Sequence, residues 1–163
     1  MVACETVAQA TNEAEDLMPR FMKMLNNISR SQAVYRSGRV TAADLQSSHY
    51  AYILLVCRLP GRSQEELARE LCVNKSTAAR NINYLEEKGY VTRAPLPQDK
   101  RQYSVFPTEK AEAVLPQIRA ASAEWMTLLS EGISPAELET FHTVLQRMQE
   151  KAREIIEQQE GCR

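Results

Sequence analysis

Histidine, glycine and tryptophan are scarce in this sequence, and their scarcity limits the chemistry that it can support. The 163 residues include two His, five Gly and one Trp. The sequence has no Gly-rich loop that could hold a nucleotide phosphate, and no nucleophile elbow. An enzyme would need such a loop, an activated nucleophile or an acid–base pair. Catalysis is therefore the weakest of the functional hypotheses.

Long apolar runs are also missing. No segment approaches the roughly 18 to 20 consecutive apolar residues that a membrane-spanning helix requires. Residues 1–17 lack the basic and then apolar order of a secretion signal. We therefore expect a cytoplasmic protein without a membrane partner.

The cysteines are spaced too widely for the usual zinc motifs. Cys4, Cys57, Cys72 and Cys162 form no Cys-x-x-Cys pair and no Cys/His cluster. In a reducing compartment the default state of cysteine is a free thiol. We expect Cys57 and Cys72 to be small core residues, and Cys4 and Cys162 to be exposed. No metal or other cofactor is predicted, and oxidant sensing by a thiol stays open.

Charge is unevenly distributed along the chain, although the net charge is only −1. Residues 1–57 hold five basic and five acidic groups, residues 58–106 hold nine and six, and residues 107–163 hold six and ten. The Debye length is about 8 Å at physiological salt, so the basic middle segment can attract phosphates locally. This distribution permits nucleic-acid binding without indicating it.

Hydrophobic periodicity predicts helices in the first part of the chain. After a polar N-terminal arm, apolar residues at helical spacing predict a first helix from about Asp16 to about Tyr35. Pro19 would be tolerated there only in the first turn. A second helix around residues 49–59 is apolar on all sides, and we expect it to be buried in the centre of the fold.

Two short helices joined by a tight turn are predicted next. Ser63 and Glu66 fit a capping box at the start of one helix, and Asn74 can cap the other. Gly89 provides a stop signal at the end of the second helix. Only residues 72–73 form the connection, which is typical of a helix-turn-helix.

The second helix of this pair has two distinct faces on a helical wheel. Its apolar edge consists of Ala78, Ile82 and Leu85. Its polar edge consists of Ser76, Arg80 and Asn83, flanked by Thr77 and Tyr84. Small polar groups and a guanidinium can reach phosphates and base edges in a major groove. An ordinary amphipathic helix with a solvated face gives the same pattern. The neighbouring elements must therefore distinguish a DNA-binding helix from an ordinary surface helix.

A β-hairpin follows directly, and two more helices complete the chain. Residues 90–94 and 102–106 alternate between polar and apolar side chains, as strands of an antiparallel hairpin do. Thr108 can cap the fifth helix, and Ser134 can open the sixth with a capping box. The predicted fold is mainly α with a small β-hairpin wing, in the order α-α-α-α-β-β-α-α.

The apparent tip of the hairpin carries three charged residues, Asp99, Lys100 and Arg101. A charged tip is usually only solvated. With the preceding helix in the major groove, however, the hairpin would reach the neighbouring minor groove, where focused negative potential favours an Arg. We predict that Arg101 inserts there, that Asp99 orients its guanidinium and that Lys100 meets phosphate. The remaining candidate contacts flank these elements: Asn74, Lys75 and Arg93.

Residues from about Ser63 to Ala111 resemble the MarR/SlyA family of bacterial transcription regulators. The matching segments are Glu66-Leu67-Ala68, Lys75-Ser76-Thr77, Arg80, Leu85 to Gly89, Asp99 and Arg101, and Thr108-Glu109-Lys110. The flanking helices agree in order and length, so the resemblance covers nearly the whole chain. Three positions depart from the family pattern: Ala78, Pro107 and Ala111.

The resemblance implies a homodimer that binds a pseudo-palindromic double-stranded DNA operator. The N- and C-terminal helices of both subunits would interdigitate, which divides the chain into three parts. These are an N-terminal arm and first dimerisation helix (1–45), a winged helix-turn-helix module (46–107) and C-terminal dimerisation helices (108–163). We expect a repressor whose operator affinity falls when an effector alters the spacing of the two modules. An activator role also stays open.

Members of this family often bind small aromatic or phenolic effectors between the dimer helices and the DNA-binding module. His49, Tyr50, Tyr52 and Trp125 are the candidates for lining such a crevice, although aromatic residues at helical spacing are usually part of a core. The alternative function is a winged helix that docks proteins or dimerises without binding DNA. A docking module would expose apolar anchors, so the Arg-bearing polar face and the cationic tip favour DNA.

Overall fold

Helices make up most of the fold, and three short strands form one sheet. The computed structural model describes residues 2–42, 44–95 and 103–161. The elements in these residues are α1 (Val2–Ser37), α2 (Ser47–Arg58), β1 (Arg62–Ser63), α3 (Gln64–Glu70), α4 (Lys75–Glu87), β2 (Val91–Pro95), β3 (Tyr103–Pro107), α5 (Glu109–Leu129) and α6 (Pro135–Gly161). The mainly α fold with a hairpin is confirmed, and β1 is an addition to the predicted order.

Strand β1 extends the hairpin to a three-stranded antiparallel sheet in the order β1-β3-β2. Ser63 in β1 lies opposite Ser104 in β3. Gly61 precedes β1 with φ 84°, and a Cβ atom there would lie 3.3 Å from the ring of Phe106. A side chain at this position would therefore be strained and crowded. The sequence pattern misses β1 because two residues are too few to show an alternation.

Helix α1 is longer than the sequence pattern predicts. It begins at Val2, so the prediction of a polar arm before about Asp16 is wrong. Residues 2–15 are rich in Ala and Glu, which favour helix formation even without a strong apolar stripe. Pro19 consequently lies inside the helix and not in its first turn. It removes one backbone hydrogen bond there, and the helix continues through it.

The predicted helix caps are confirmed. The Ser63 hydroxyl accepts a hydrogen bond from the Glu66 backbone N–H at 3.2 Å, and the Glu66 carboxylate accepts one from the Ser63 N–H at 2.8 Å. At the start of α4, Asn74 Oδ1 accepts a hydrogen bond from the Thr77 N–H at 2.7 Å. Two further caps accept bonds of the same kind, Thr108 of α5 and Ser134 of α6. These bonds satisfy donors that a helix start otherwise leaves unpaired.

The hydrophobic core lies between α2, the α3–α4 pair, the sheet and the first half of α5. Helix α2 is central, as predicted, and Ile53 and Val56 are among its fully buried residues. Leu67 of α3, Ile82 of α4 and Ile118 of α5 close the core from the other sides. The apolar edge of α4 is thereby held against the rest of the module.

Cys57 and Cys72 lie in different environments. Cys57 is half-buried and packs against the core, as predicted. The prediction that Cys72 is a core residue is wrong, because it is exposed in the turn between α3 and α4. Its φ of 51° is left-handed, and the tight turn leaves its side chain on the surface. Cys4 is part of α1, and Cys162 lies outside the described residues.

In the part of the chain that the structure describes, no helix is both long enough and apolar enough to cross a membrane.

Candidate nucleic-acid interface

Helix α4 presents a polar face to solvent. Its inner edge consists of Ala78, Ile82 and Leu85, each 0% exposed. Its outer face carries the exposed residues Lys75, Ser76, Arg80 and Asn83, with Thr77 half-buried beside them. The predicted division into a buried apolar edge and an outer polar edge is confirmed. Contact of the outer edge with DNA stays a prediction.

Turns at both ends of α4 fix its length. The exposed Asn74 caps its first turn, so the helix start is both ordered and open to solvent. At the other end, Gly89 has φ 75°, and within the described part of the chain no atom beyond its two sequence neighbours lies within 4 Å of where its Cβ would be. Glycine is therefore required there by the backbone conformation and not by crowding. The next residue, Tyr90, donates its N–H to the Leu85 carbonyl at 2.8 Å and leads into the sheet.

Side chains on the outer face of α4 have partners within the protein. One guanidinium nitrogen of Arg80 lies 3.4 Å from the Thr77 hydroxyl, to which it donates. The Lys75 ammonium pairs with Glu65 of α3 at 2.9 Å. An exposed pair of this kind contributes at most about 1 kcal/mol. Exchanging Glu65 for a phosphate as the partner of Lys75 would therefore cost little.

Arg93 links β2 to α4. Its guanidinium donates to the Asn83 side-chain carbonyl and lies 3.4 Å from the Glu86 carboxylate. The side chain is only 21% exposed. Arg93 thus orients one of the outer-face residues, Asn83, and couples the hairpin to the helix.

The hairpin is confirmed for the two strands that the structure describes. Strands β2 and β3 pair antiparallel from Val91 opposite Pro107 to Pro95 opposite Tyr103. The predicted tip residues, Asp99, Lys100 and Arg101, lie outside the described residues.

Tyr84 lies between α4 and the start of α2. Its hydroxyl donates to the Asp44 backbone carbonyl at 2.6 Å. Its ring stacks on His49, with the centroids 4.5 Å apart and the planes 18° apart. The pKa of His49 is lowered, because burial outweighs the opposing effect of the nearby Asp44 carboxylate. The hydroxyl and the ring of Tyr84 are thus both engaged within the protein.

Asp44 belongs to a polar cluster that the sequence pattern does not reveal. Its carboxylate accepts hydrogen bonds from the Tyr90 hydroxyl at 2.7 Å and from the Lys110 ammonium at 2.9 Å. The hydrogen bond from Tyr90, followed by that from Lys110, holds the pKa of Asp44 below its usual value. Burial and then the Asp44 carboxylate raise the pKa of Tyr90. No local signal connects these residues, because they lie 46 and 66 positions apart.

The aromatic candidates for an effector crevice occupy separate environments. Tyr50 and Tyr52 are core residues that are 1% and 3% exposed. Trp125 is half-buried, and its ring centroid lies 5.2 Å from that of Tyr35. The ring that stacks on His49 is Tyr84, which is not one of the candidate effector residues. Their role in ligand binding stays a prediction.

A cavity of about 610 Å³ lies between α2, the end of α3, α5 and α6. Its charged lining residues are Arg58, Glu70, Arg119 and Arg153. Arg153 of α6 approaches Glu70 of α3 at 3.5 Å across this cavity. The sequence pattern did not single out any of these residues.

Known proteins share this arrangement of elements. The model of the MarR family matches residues 43–102. The helix-turn-helix-type transcriptional regulator YybA of Bacillus subtilis, which is itself uncharacterised, is 34% identical over 105 residues. The matched region covers 64% of this chain and 70% of YybA.

Solved structures agree with this relationship. A MarR transcriptional regulator from Methanosarcina mazei Go1 is 26% identical, with a TM-score of 0.77 over 84% of this chain and 99% of that chain. A structure assigned to the MarR family from Listeria monocytogenes, in complex with a 26mer DNA, has a TM-score of 0.76 over 82% of this chain and 89% of that chain. At 22% identity, this second likeness shows the fold alone.

The sequence resemblance and the fold lead to the same family. The family match covers α2, the helix-turn-helix and β2, which are the elements that place the outer face of α4. YybA is matched over more than two thirds of its length. The chain therefore belongs to the MarR family of transcriptional regulators and is not an enzyme.

Proposed function

We propose that this protein binds double-stranded DNA in a sequence-specific manner, with α4 in the major groove and the hairpin of β2 and β3 at the adjacent minor groove. The observation that carries the proposal is the outer face of α4, where Ser76, Arg80 and Asn83 are exposed on a helix whose opposite edge is fully buried. Hydroxyl, guanidinium and amide groups pair with phosphates and base edges. A protein-docking module would instead expose large apolar anchors on this face.

Each predicted contact residue has a role in this proposal. Arg80 and Asn83, in the middle of the outer face, read base edges. The groups that contact phosphates or the groove wall are Asn74, Lys75, Ser76, Thr77 and Lys100. Arg101 enters the minor groove and Asp99 orients it. Tyr84 and Arg93 act at the edges of the contact, since their polar atoms also hold α4 to the rest of the module.

We further propose that the protein is a homodimer built from α1, α5 and α6. These helices expose many large apolar side chains: Met22, Met24, Ile28, Met126, Leu128, Leu129, Phe141, Val144, Ile155 and Ile156. Within the described residues, α6 makes no extended packing contact with another element of its own chain. Large exposed apolar surfaces of this kind favour association, and a solitary helix is marginally stable in water.

The dimer accounts for the proposed division of the chain into parts 1–45, 46–107 and 108–163. The first and last parts supply the interface, and the middle part carries the DNA-binding module. Two-fold symmetry then places the two copies of α4 on half-sites one helical turn apart, about 34 to 36 Å. A pseudo-palindromic operator matches this symmetry.

We also propose that the protein is a repressor in the bacterial cytoplasm and that a small aromatic or phenolic effector weakens its DNA binding. The candidate effector residues are His49, Tyr50, Tyr52 and Trp125. The stacking of His49 on Tyr84 supports a link between this region and α4. An effector that displaced the His49 ring would remove one of the contacts that hold α4.

Substitution of Arg80 tests the DNA-binding proposal. A duplex selected by the wild-type protein from a random-sequence library is compared with an unselected duplex of equal length across a salt series. Loss of a base-reading Arg costs about 1 to 3 kcal/mol, or roughly 5- to 150-fold in affinity. We expect Arg80→Ala to weaken binding of the selected duplex by this factor and to affect the unselected duplex less. Arg147→Ala, which removes an exposed guanidinium from α6, is the matched control.

Three results would count against parts of the proposal. Equal affinity of the wild-type protein for both duplexes would remove sequence-specific binding. Equal losses on both duplexes with Arg80→Ala would remove base reading by Arg80. Unchanged affinity with Arg101→Ala would remove the minor-groove assignment.

A further inference from the structure

We propose that Asp44 is a positioning residue for DNA reading, because it ties α4, the entry to β2 and the start of α5 to one point in the connection between α1 and α2. This inference rests on the proposed DNA-binding function. It adds a residue that lies outside the contact face and acts by setting the direction in which α4 presents that face.

Asp44 accepts hydrogen bonds from three parts of the fold: α4, the connection between α4 and β2, and α5. Its backbone carbonyl accepts from the hydroxyl of Tyr84 on α4 at 2.6 Å. One carboxylate oxygen accepts from the hydroxyl of Tyr90, between α4 and β2, at 2.7 Å. The other accepts from the ammonium of Lys110, in the first turn of α5, at 2.9 Å. The main chain and side chain of a single residue thus connect α4, the entry to β2 and α5.

Burial of Tyr90 and further contacts of Lys110 limit the movement of the groups bonded to Asp44. Tyr90 is 1% exposed, and a buried hydroxyl that loses its partner destabilises the fold. Lys110 also donates to the Lys88 carbonyl at the end of α4, at 2.8 Å, and its ammonium lies 4.0 Å from the centroid of the Tyr90 ring. The ammonium therefore holds the end of α4, the Tyr90 ring and Asp44 together.

The segment that carries Asp44 is itself fixed to α5. The backbone N–H and the hydroxyl of Thr41 both donate to the side-chain carbonyl of Gln117, at 3.0 and 2.9 Å. Gln117 lies about two helical turns beyond Lys110. The connection between α1 and α2 is thus attached to α5 at two levels, and Asp44 serves as a stationary anchor for α4.

Anchoring the end of α4 matters because small rotations of a helix move its side chains far. Helix α4 has 13 residues, so a tilt of about 10° about one end moves the other end by about 3 Å. Base reading requires positions held within about 0.5 Å. Apolar packing of Ala78, Ile82 and Leu85 is non-directional, whereas hydrogen bonds restrict both distance and angle. Tyr84 follows Asn83 directly and lies one turn after Arg80, so its bond to Asp44 restrains both proposed reading residues.

Charge and positioning predict opposite effects when Asp44 is replaced. Removal of a negative charge near the proposed DNA surface should by itself tighten binding to any duplex. Loss of positioning should instead weaken binding to the selected duplex alone. The sign of the change on that duplex therefore distinguishes the two effects.

The test measures dissociation constants of Asp44→Asn and Asp44→Ala for the selected and the unselected duplex described above. Protein concentrations are corrected for the DNA-binding fraction, and thermal melting reports folding. Loss of one base contact through misplacement costs about 1 to 3 kcal/mol, or roughly 5- to 150-fold in affinity, so we expect Asp44→Ala to bind the selected duplex about tenfold more weakly. Asp44→Asn should lose less, because its amide oxygen can still accept from Tyr90. Binding of the unselected duplex should stay unchanged or tighten.

Two further variants separate positioning from charge. Glu87→Gln removes the same charge from an exposed carboxylate on α4 itself, and it should change both duplex affinities by the same factor. Lys110→Met breaks the ion pair with Asp44 from the other side and should weaken binding of the selected duplex more than of the unselected one. The double variant Asp44→Asn/Lys110→Met should lose less than the sum of the two single losses.

Each alternative result overturns the proposal. These results are equal weakening of both duplexes by Asp44→Ala, tightening of both duplexes by the same factor as with Glu87→Gln, and additive losses in the double variant. If Asp44→Ala does not fold, the isosteric Asp44→Asn and the Lys110→Met variant still decide the question. A wild-type protein that does not discriminate between the duplexes contradicts the proposed function itself. Discrimination that survives every Asp44 variant contradicts only this inference.

Discussion

Asn74 has two proposed roles that a pair of substitutions can separate. Its side-chain oxygen accepts a hydrogen bond from the Thr77 N–H at 2.7 Å, and this bond caps α4. It is also exposed at the helix start, where it is a proposed DNA contact. Asn74→Ala removes the cap, whereas Asn74→Asp keeps an oxygen at the capping position and adds a negative charge.

The two variants should rank in opposite order for stability and for DNA binding. Loss of an N-cap costs about 1 kcal/mol of unfolding free energy, or roughly 2 to 4 °C in melting temperature for a protein of this size. Asn74→Asp should be at least as stable as wild type, since a carboxylate at a helix N-terminus contributes about 0.3 to 1 kcal/mol. That carboxylate would also meet phosphate. Like charges about 4 Å apart in water repel by about 1 kcal/mol, so we expect about fivefold weaker binding to any duplex.

Denaturant unfolding at matched protein concentration gives the stability ranking, and fluorescence anisotropy with a labelled duplex gives the affinities. Ser134→Ala is the control, because Ser134 caps α6 with a bond of the same kind, from the Glu137 N–H at 3.3 Å. It should cost similar stability and leave DNA binding unchanged. The capping argument is refuted if Asn74→Asp destabilises as much as Asn74→Ala. Unchanged affinity with Asn74→Asp would place the start of α4 away from phosphate.

Two further predictions concern the dimer and the response to acid. Phe141→Lys on α6, where the native side chain is 49% exposed in the single chain, should yield a monomer by sedimentation equilibrium. Gln146→Lys on the same helix should stay dimeric, and a dimeric Phe141→Lys would exclude this face from the interface. Hydrogen bonding from the Ser63 N–H, and then from Arg62, lowers the pKa of Glu66. The ionised Glu66 carboxylate therefore contributes its full stabilisation above the unfolded pKa of about 4.3, and this stabilisation is lost as the pH falls below that value. Glu66→Gln should flatten this part of the stability curve measured by denaturant titration, and an unchanged slope would contradict the assignment.

Local features of the fold were predictable because their causes are local. The caps at Ser63, Asn74, Thr108 and Ser134 depend on a side chain and a backbone group three residues apart. The buried edge of α4 follows from helical periodicity alone. Strand β1 was not predictable, because its two residues are paired by β3, about 40 residues later in the chain. The start of α1 is not marked by an apolar stripe, and a polar composition predicts an arm, whereas the Ala and Glu of residues 2–15 favour helix.

The outer face of α4 was predictable for the same reason, but the groups that hold it were not. Tyr84 has the right position on the helical wheel for a DNA contact, and the wheel cannot show that its hydroxyl reaches Asp44, 40 residues earlier. The sequence likewise predicts that Arg93 is a strand residue with an unpaired charge, whereas the structure pairs it with Asn83 and Glu86. Sequence patterns thus identify which side chains face outward, and only the fold shows which of them are engaged by the protein.

These contacts also limit how an effector could act on DNA binding. A ligand changes an equilibrium only through an element that it contacts differently in two states. Helix α4 is held from the α1–α2 side by the Tyr84 and Tyr90 hydroxyls on Asp44 and by the stacking of Tyr84 on His49. An occupant beside His49 would compete directly with the Tyr84 ring and could tilt α4 without any change in the dimer interface. An occupant of the arginine-lined cavity between α2, the end of α3, α5 and α6 would instead reach α4 through α3, which packs against it, or through Lys110 in the first turn of α5. Only the first route depends on the Tyr84–Asp44 attachment, so substitution of Asp44 should weaken effector control from the His49 side more than from the cavity.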